Sequence, residues 1–188
     1  MSSTTPAQPP GERRKARTQF RPTEYIVNFG DGPVSARIHW NPDGTKGGII
    51  ADTAEAEPSV FIAEGARVFG NARVFGASRI EDEVKIHGNA RVDDAVVRGT
   101  VDITGNATVD QATVEGNAKI GEDARIGAGA YVGGNAIIRG SAKVLGEVIV
   151  DGNAVIDESA WIAGGRITGD ARITGNTVVR AGEVYGAT

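Results

Sequence analysis

An aliphatic residue recurs every six positions along most of this chain. Ile62, Val68, Val74, Ile80, Ile86 and Val92 come first, and after a five-residue step Val97, Ile103 and Val109 follow. A second five-residue step leads to Val114, Ile120, Ile126, Val132, Ile138, Val144, Val150, Ile156 and Ile162. A third leads to Ile167, Ile173 and Val179, and a fourth to Val184. Two residues before nearly every one stands a small residue, among them Ala66, Ala72, Ser78, Ala90, Ala107, Ala118, Ala136 and Ala154. Positions i and i−2 share one side of a strand, so each unit reads as a short strand with one large and one small residue facing inward. Turns close the units, and their Gly-Asn phrase returns at Gly70-Asn71, Gly88-Asn89, Gly105-Asn106, Gly116-Asn117, Gly134-Asn135 and Gly152-Asn153. Both residue types tolerate backbone conformations that β-branched residues resist, which suits them to tight turns.

Repetition at this scale decides the architecture before any single motif does. Three units make one coil of 18 residues, and stacked coils make a three-sided prism. Naming the faces A, B and C from Ile62, Val68 and Val74, all four short steps fall at the corner from C to A. Chance would not choose one corner four times. The prediction is an all-β parallel solenoid of about seven coils, entered near Ile50, where Ile50 and Ala56 already lie on the six-residue grid.

The pattern resembles the hexapeptide-repeat family, from about Ile50 to Val184, and is similar to bacterial proteins with tandem Gly-Asn/Asp-Ala-x-Val units. The resemblance implies a single-stranded left-handed parallel β-helix. That hand comes from the family alone, because parallel crossovers are usually right-handed. A right-handed bactofilin-type helix is the structural alternative, and it fits the small residue at i−2 poorly.

Residues 1–18 are rich in Ser, Thr, Pro, Gln and charge and read as a disordered tail, with Arg13, Arg14, Lys15 and Arg17 against Glu12. Residues 19–49 break the six-residue rhythm. Two strands, Glu24 to Phe29 and Val34 to Trp40, flank Gly30-Asp31-Gly32-Pro33, and Asn41-Pro42-Asp43-Gly44 is a turn. This segment reads as an N-terminal β-hairpin cap, because a first coil exposes unpaired strand edges. Tyr25 and Trp40 are placed to cover Phe61, Phe69 and Phe75, which point outward. Residues 50–188 are expected to form the helix, with no helical segment expected after Val184, a departure from many acyltransferases of the family that the chain resembles.

Composition narrows the chemistry. The chain has no cysteine, hence no disulfide, thiolate nucleophile or thiolate metal site. No apolar run suits a membrane span, and Met1 to Arg14 lacks the apolar core of a secretory signal, so a cytoplasmic protein is expected. Two histidines, His39 and His87, cannot alone supply the three-histidine zinc site of the family's carbonic anhydrases. The resemblance implies a second possibility: a trimeric acyltransferase using His87 at a subunit boundary. No insertion interrupts the rhythm from Ile62 to Val184 to provide an active-site loop, and neither a phosphate-cradling loop nor a threonine row for ice is present. The residues therefore favour a non-catalytic solenoid that acts as an assembly or binding module, without cofactor.

Two surface features carry that reading. The outward position before the aliphatic is repeatedly basic, and on face C successive coils give Arg73, Arg91, Thr108, Arg125 and Lys143. At about 4.8 Å per rung this ladder could meet an anionic ligand. Interspersed acids, a net charge of −4 and missing aromatic partners disfavour nucleic acid. The second feature is an apolar band, Tyr131 and Ile149 on face A with Ile137 and Val155 on face B. Two parallel apolar ladders on adjoining faces point to a homo-oligomer, and the resemblance implies a trimer with face C outward. The last coil, through Val179 to Tyr185, offers end-to-end pairing as a second route.

Overall fold

The computed structural model describes residues 25–127 and 129–186, so the expectations for residues 1–18 and for the first part of the cap lie outside the described residues. All regular structure in the described residues is β. Three sheets form the sides of a solenoid, and each carries eight parallel rungs. Face A runs from Phe61–Ile62 to Glu183–Gly186, face B from Lys46–Ala51 to Arg172–Ile173, and face C from Glu55–Ala56 to Val178–Val179. Eight coils result because the coil through Ile50 and Ala56 precedes the one that starts on face B at Val68.

The register is the one the spacing predicts. Ile86 stands beside Val68, Ile103 beside Ile86, and Ile120 beside Ile103. The five-residue steps leave pairing intact, since Val97 still stands beside Ile80 and Val114 beside Val97. The inward aliphatics and their small i−2 partners form one continuous buried column from Ile50 to Ile173. Parallel sheets bury one face here without helices, because the other two sheets close the prism.

The turns divide their labour differently from the sequence expectation. Glycine takes the left-handed conformation, as at Gly88 with φ 71°, while the asparagines do not. A Cβ on Gly88 would also lie 2.9 Å from the backbone nitrogen of Gly105, so close stacking of coils adds to the demand for glycine. The asparagines instead stack into two amide ladders. Asn71 donates to Asn89, Asn89 to Asn106, and Asn106 to the carboxylate of Asp123, at 3.2, 3.0 and 2.8 Å. At the corner between faces A and B, Asn117, Asn135 and Asn153 form the second ladder, which ends on Asp170 at 2.8 Å. Asn89, Asn106, Asn135 and Asn153 each both donate and accept, so the chain of bonds passes from coil to coil and closes on an acceptor-only group.

The cap is built into the solenoid. Strands β1 (Tyr25–Asn28) and β2 (Pro33–Trp40) form an antiparallel hairpin. Strand β2 in turn pairs antiparallel with β3 (Lys46–Ala51), the first rung of face B. It therefore occupies the edge that the first rung would leave open. On face A, side chains replace the missing strand. The buried Asn41 accepts from the Ile62 amide at 2.8 Å, and the buried His39 donates from Nε2 to the Val60 carbonyl at 2.7 Å. Towards face C, the Arg37 guanidinium donates to the carbonyls of Ala51 and Ala54 at 3.4 and 3.2 Å. Thus β2 and the turn after it satisfy backbone groups on all three sides of the first coil.

Tyr25 and Trp40 do not cover the outward aromatics; Trp40 is 63% exposed. Phe29, in the hairpin turn, stacks on Phe69 at 4.6 Å between centroids. Phe61 and Phe75 are covered from the next coil, by the guanidinium groups of Arg79 and Arg91 at 4.6 and 5.1 Å.

Candidate functional site

Face B holds the most organised polar cluster. The position after each inward aliphatic stacks along the helix axis, so Phe69, His87, Thr104 and Gly121 succeed one another. Phe29 and Phe69 begin the stack, and the His87 ring continues it 4.6 Å below Phe69, almost parallel to it. His87 Nε2 lies 2.9 Å from Asp102 Oδ1, while Thr104 Oγ1 lies 3.2 Å from His87 Nδ1. With a carboxylate on one side, Nε2 carries the proton and Nδ1 accepts from the threonine hydroxyl. Both ring nitrogens are thereby engaged within the chain. Beyond Thr104, the missing side chain at Gly121 leaves a hollow lined by Lys119, Ile137 and Arg139. Arg139 is held by Asp157 at 2.8 Å. Among the described residues no group of three histidine, cysteine or acidic side chains could hold a metal ion.

The hydrogen bond from His87, aided by the charges of Lys85 and Lys119, holds the Asp102 carboxyl below its ordinary value of 3.8 against the opposing effect of burial. A depressed carboxyl contributes stability that is present above the unfolded value and lost as pH falls through the folded one. Melting curves of the wild type and Asp102→Asn are therefore expected to differ at pH 6 and to converge below about pH 3.8. A gap that persists unchanged in acid would show that the His87–Asp102 contact is not made.

The face C ladder is in register as expected. Arg73 stands beside Arg91, Arg91 beside Thr108, Thr108 beside Arg125, and Arg125 beside Lys143. Its cations are not equivalent. Arg73 lies 3.7 Å from Glu55, and Arg91 lies 2.8 Å from Asp93. Arg125 and Lys143 have no acidic partner within 4.0 Å among the described residues. One rung further, Lys143 stands beside Trp161, an exposed indole that belongs to this column.

The apolar band is also in register, Tyr131 beside Ile149 and Ile137 beside Val155. Ile149 is 37% exposed, and the other three are half-buried by their neighbours. Thr113 and Arg166 bound the band on face A, and Lys119 and Arg172 bound it on face B. The Tyr131 hydroxyl donates to Glu115, and that bond, with the desolvation of the phenol, pushes its pKa up to about 12. The phenol is neutral and oriented across the working range of pH.

No described helix is long and apolar enough to cross a membrane. No curated protein matches the chain. Residues 50–135 match the family described as GlmU-like, C-terminal hexapeptide. The same rung pairing continues beyond that match to Gly186, the last pair lying between Gly169 and Gly186. Eight parallel rungs per face, one repeat throughout and this match together identify residues 50–135 as repeats of the hexapeptide type.

Proposed function

We propose that this protein is a non-catalytic β-solenoid that assembles with its own copies through the side where faces A and B meet. The observation that carries the reading is the apolar band of Tyr131, Ile149, Ile137 and Val155, two rungs deep and bounded by polar positions. An apolar centre with a charged rim is the anatomy of a protein interface. Three copies around an axis parallel to the coils would bury this band and leave face C outward. His87 supports a structural role for its cluster: the ring is packed on Phe69, and neither nitrogen is free to meet a substrate.

The test is light scattering of the wild type and of an Ile137→Lys, Ile149→Lys double variant. The wild type is expected to be oligomeric at micromolar concentration and the variant monomeric with an unchanged melting temperature. An oligomer that survives both lysines would place the interface elsewhere. One observation favours the enzyme reading, an acyltransferase that uses His87. Carboxylate, imidazole and hydroxyl are linked in the order that general-base catalysis uses. Saturable acetyl-CoA binding, with activity lost in His87→Ala, would establish that reading in place of ours.

A further inference from the structure

Face C divides into two halves that differ in chemistry. Towards the cap its cations are neutralised, Arg73 by Glu55 and Arg91 by Asp93, and Asp110 follows in the neighbouring column. Towards the other end, Arg125 and Lys143 stand on adjacent rungs with no acid within 4.0 Å among the described residues, and Trp161 stands on the rung after. The indole is 41% exposed. Beside this column the surface is flat and apolar, with Gly127 next to Leu145. Like charges on neighbouring rungs, about 4.8 Å apart, repel each other. Elsewhere on this face the sequence relieves such repulsion with an acid, and here it does not.

We propose that Arg125, Lys143 and Trp161 form a binding site for an acidic glycan, with carboxylates on the two cations and one sugar ring on the indole face. Three features select that class. Guanidinium and ammonium groups in a row match carboxylates spaced along a chain, and arginine can bind one bidentately. The indole offers an apolar plate with a polar edge, which suits a ring that is apolar on its face and hydroxylated around its rim. The strip from Arg125 to Trp161 spans two rung spacings, roughly 10 Å, room for a few sugars. Single-stranded nucleic acid would use similar groups, but it requires a longer positive track with several stacking platforms. Here Asp110 and Asp93 close the track on one side, and the net charge of −4 opposes a long polyanion. The site lies on the face that self-association would leave open, and it does not depend on that association.

The experiment is calorimetric titration of the full chain with a galacturonic acid tetramer, a neutral cellotetraose and a single-stranded DNA 12-mer. Saturable binding is expected for the acidic tetramer alone, weakening as salt is added. Both an Arg125→Ala, Lys143→Ala double variant and Trp161→Ala should raise its Kd at least about tenfold. Arg67→Ala, an exposed cation on face B, should leave the Kd unchanged, and equal melting temperatures would show that all variants are folded. Absence of saturable heat with the tetramer would overturn the proposal, as would unchanged affinity in the double variant. Tighter binding of the DNA than of the tetramer would replace it with a nucleic-acid site.

Discussion

Replacing Ile103 with aspartate is expected to cost about 4 kcal/mol or more, enough to unfold a marginally stable chain. Ile103 is fully buried, between Ile86 on the coil before and Ile120 on the coil after. A carboxylate there would have no partner in a prism lined by Val, Ile and Ala, and three sheets would have to separate to admit water. Thr108→Asp is the matched control. Thr108 faces outward between Arg91 and Arg125, where a carboxylate would meet two cations. Its stability should shift by no more than about 0.5 kcal/mol. Similar losses in thermal melts of the two variants would mean that the inward and outward positions have been exchanged.

Removing residues 1–44 is the second change with a large expected effect. The deletion would strip β2 from the edge of β3 and leave the Val60 carbonyl and the Ile62 amide without His39 and Asn41. It would also bare Phe69, which Phe29 now covers. An unpaired first rung is a template for another chain, so the fragment is expected to aggregate. A point substitution isolates one part of this. Asn41→Ala removes the acceptor for a buried amide and should cost about 1–3 kcal/mol while the hairpin remains. A soluble, monodisperse fragment, or an Asn41→Ala variant as stable as the wild type, would show that the first coil needs no cap.

The contrast between coil and cap shows what could be read in the sequence. Inside the solenoid, each residue meets the one 17 or 18 positions away, so spacing alone gives contacts. The core, the three faces and the corner of the short steps all follow from it. The amide ladders were equally legible, since Asn71, Asn89, Asn106 and Asp123 recur at one corner. Their contribution was hidden by the general suitability of asparagine for turns. Trp161 likewise follows Lys143 by one coil, and its membership of the basic column emerges once rungs are aligned. The cap obeys no period. That Arg37, His39 and Asn41 would reach the carbonyls and amide of the first coil depends on how β2 crosses the end of the prism. No local signal marks it. The same holds for Phe29, whose partner Phe69 lies 40 residues on.

The central claim is that the A–B side is an interface between copies of this chain. Sedimentation equilibrium of the unmodified protein at micromolar concentration tests it most directly. The account predicts a mass that is a multiple of 19.5 kDa, with threefold favoured, and that reverts to a single chain when Ile137 and Ile149 are both lysine. A wild-type mass of 19.5 kDa across that range would contradict it.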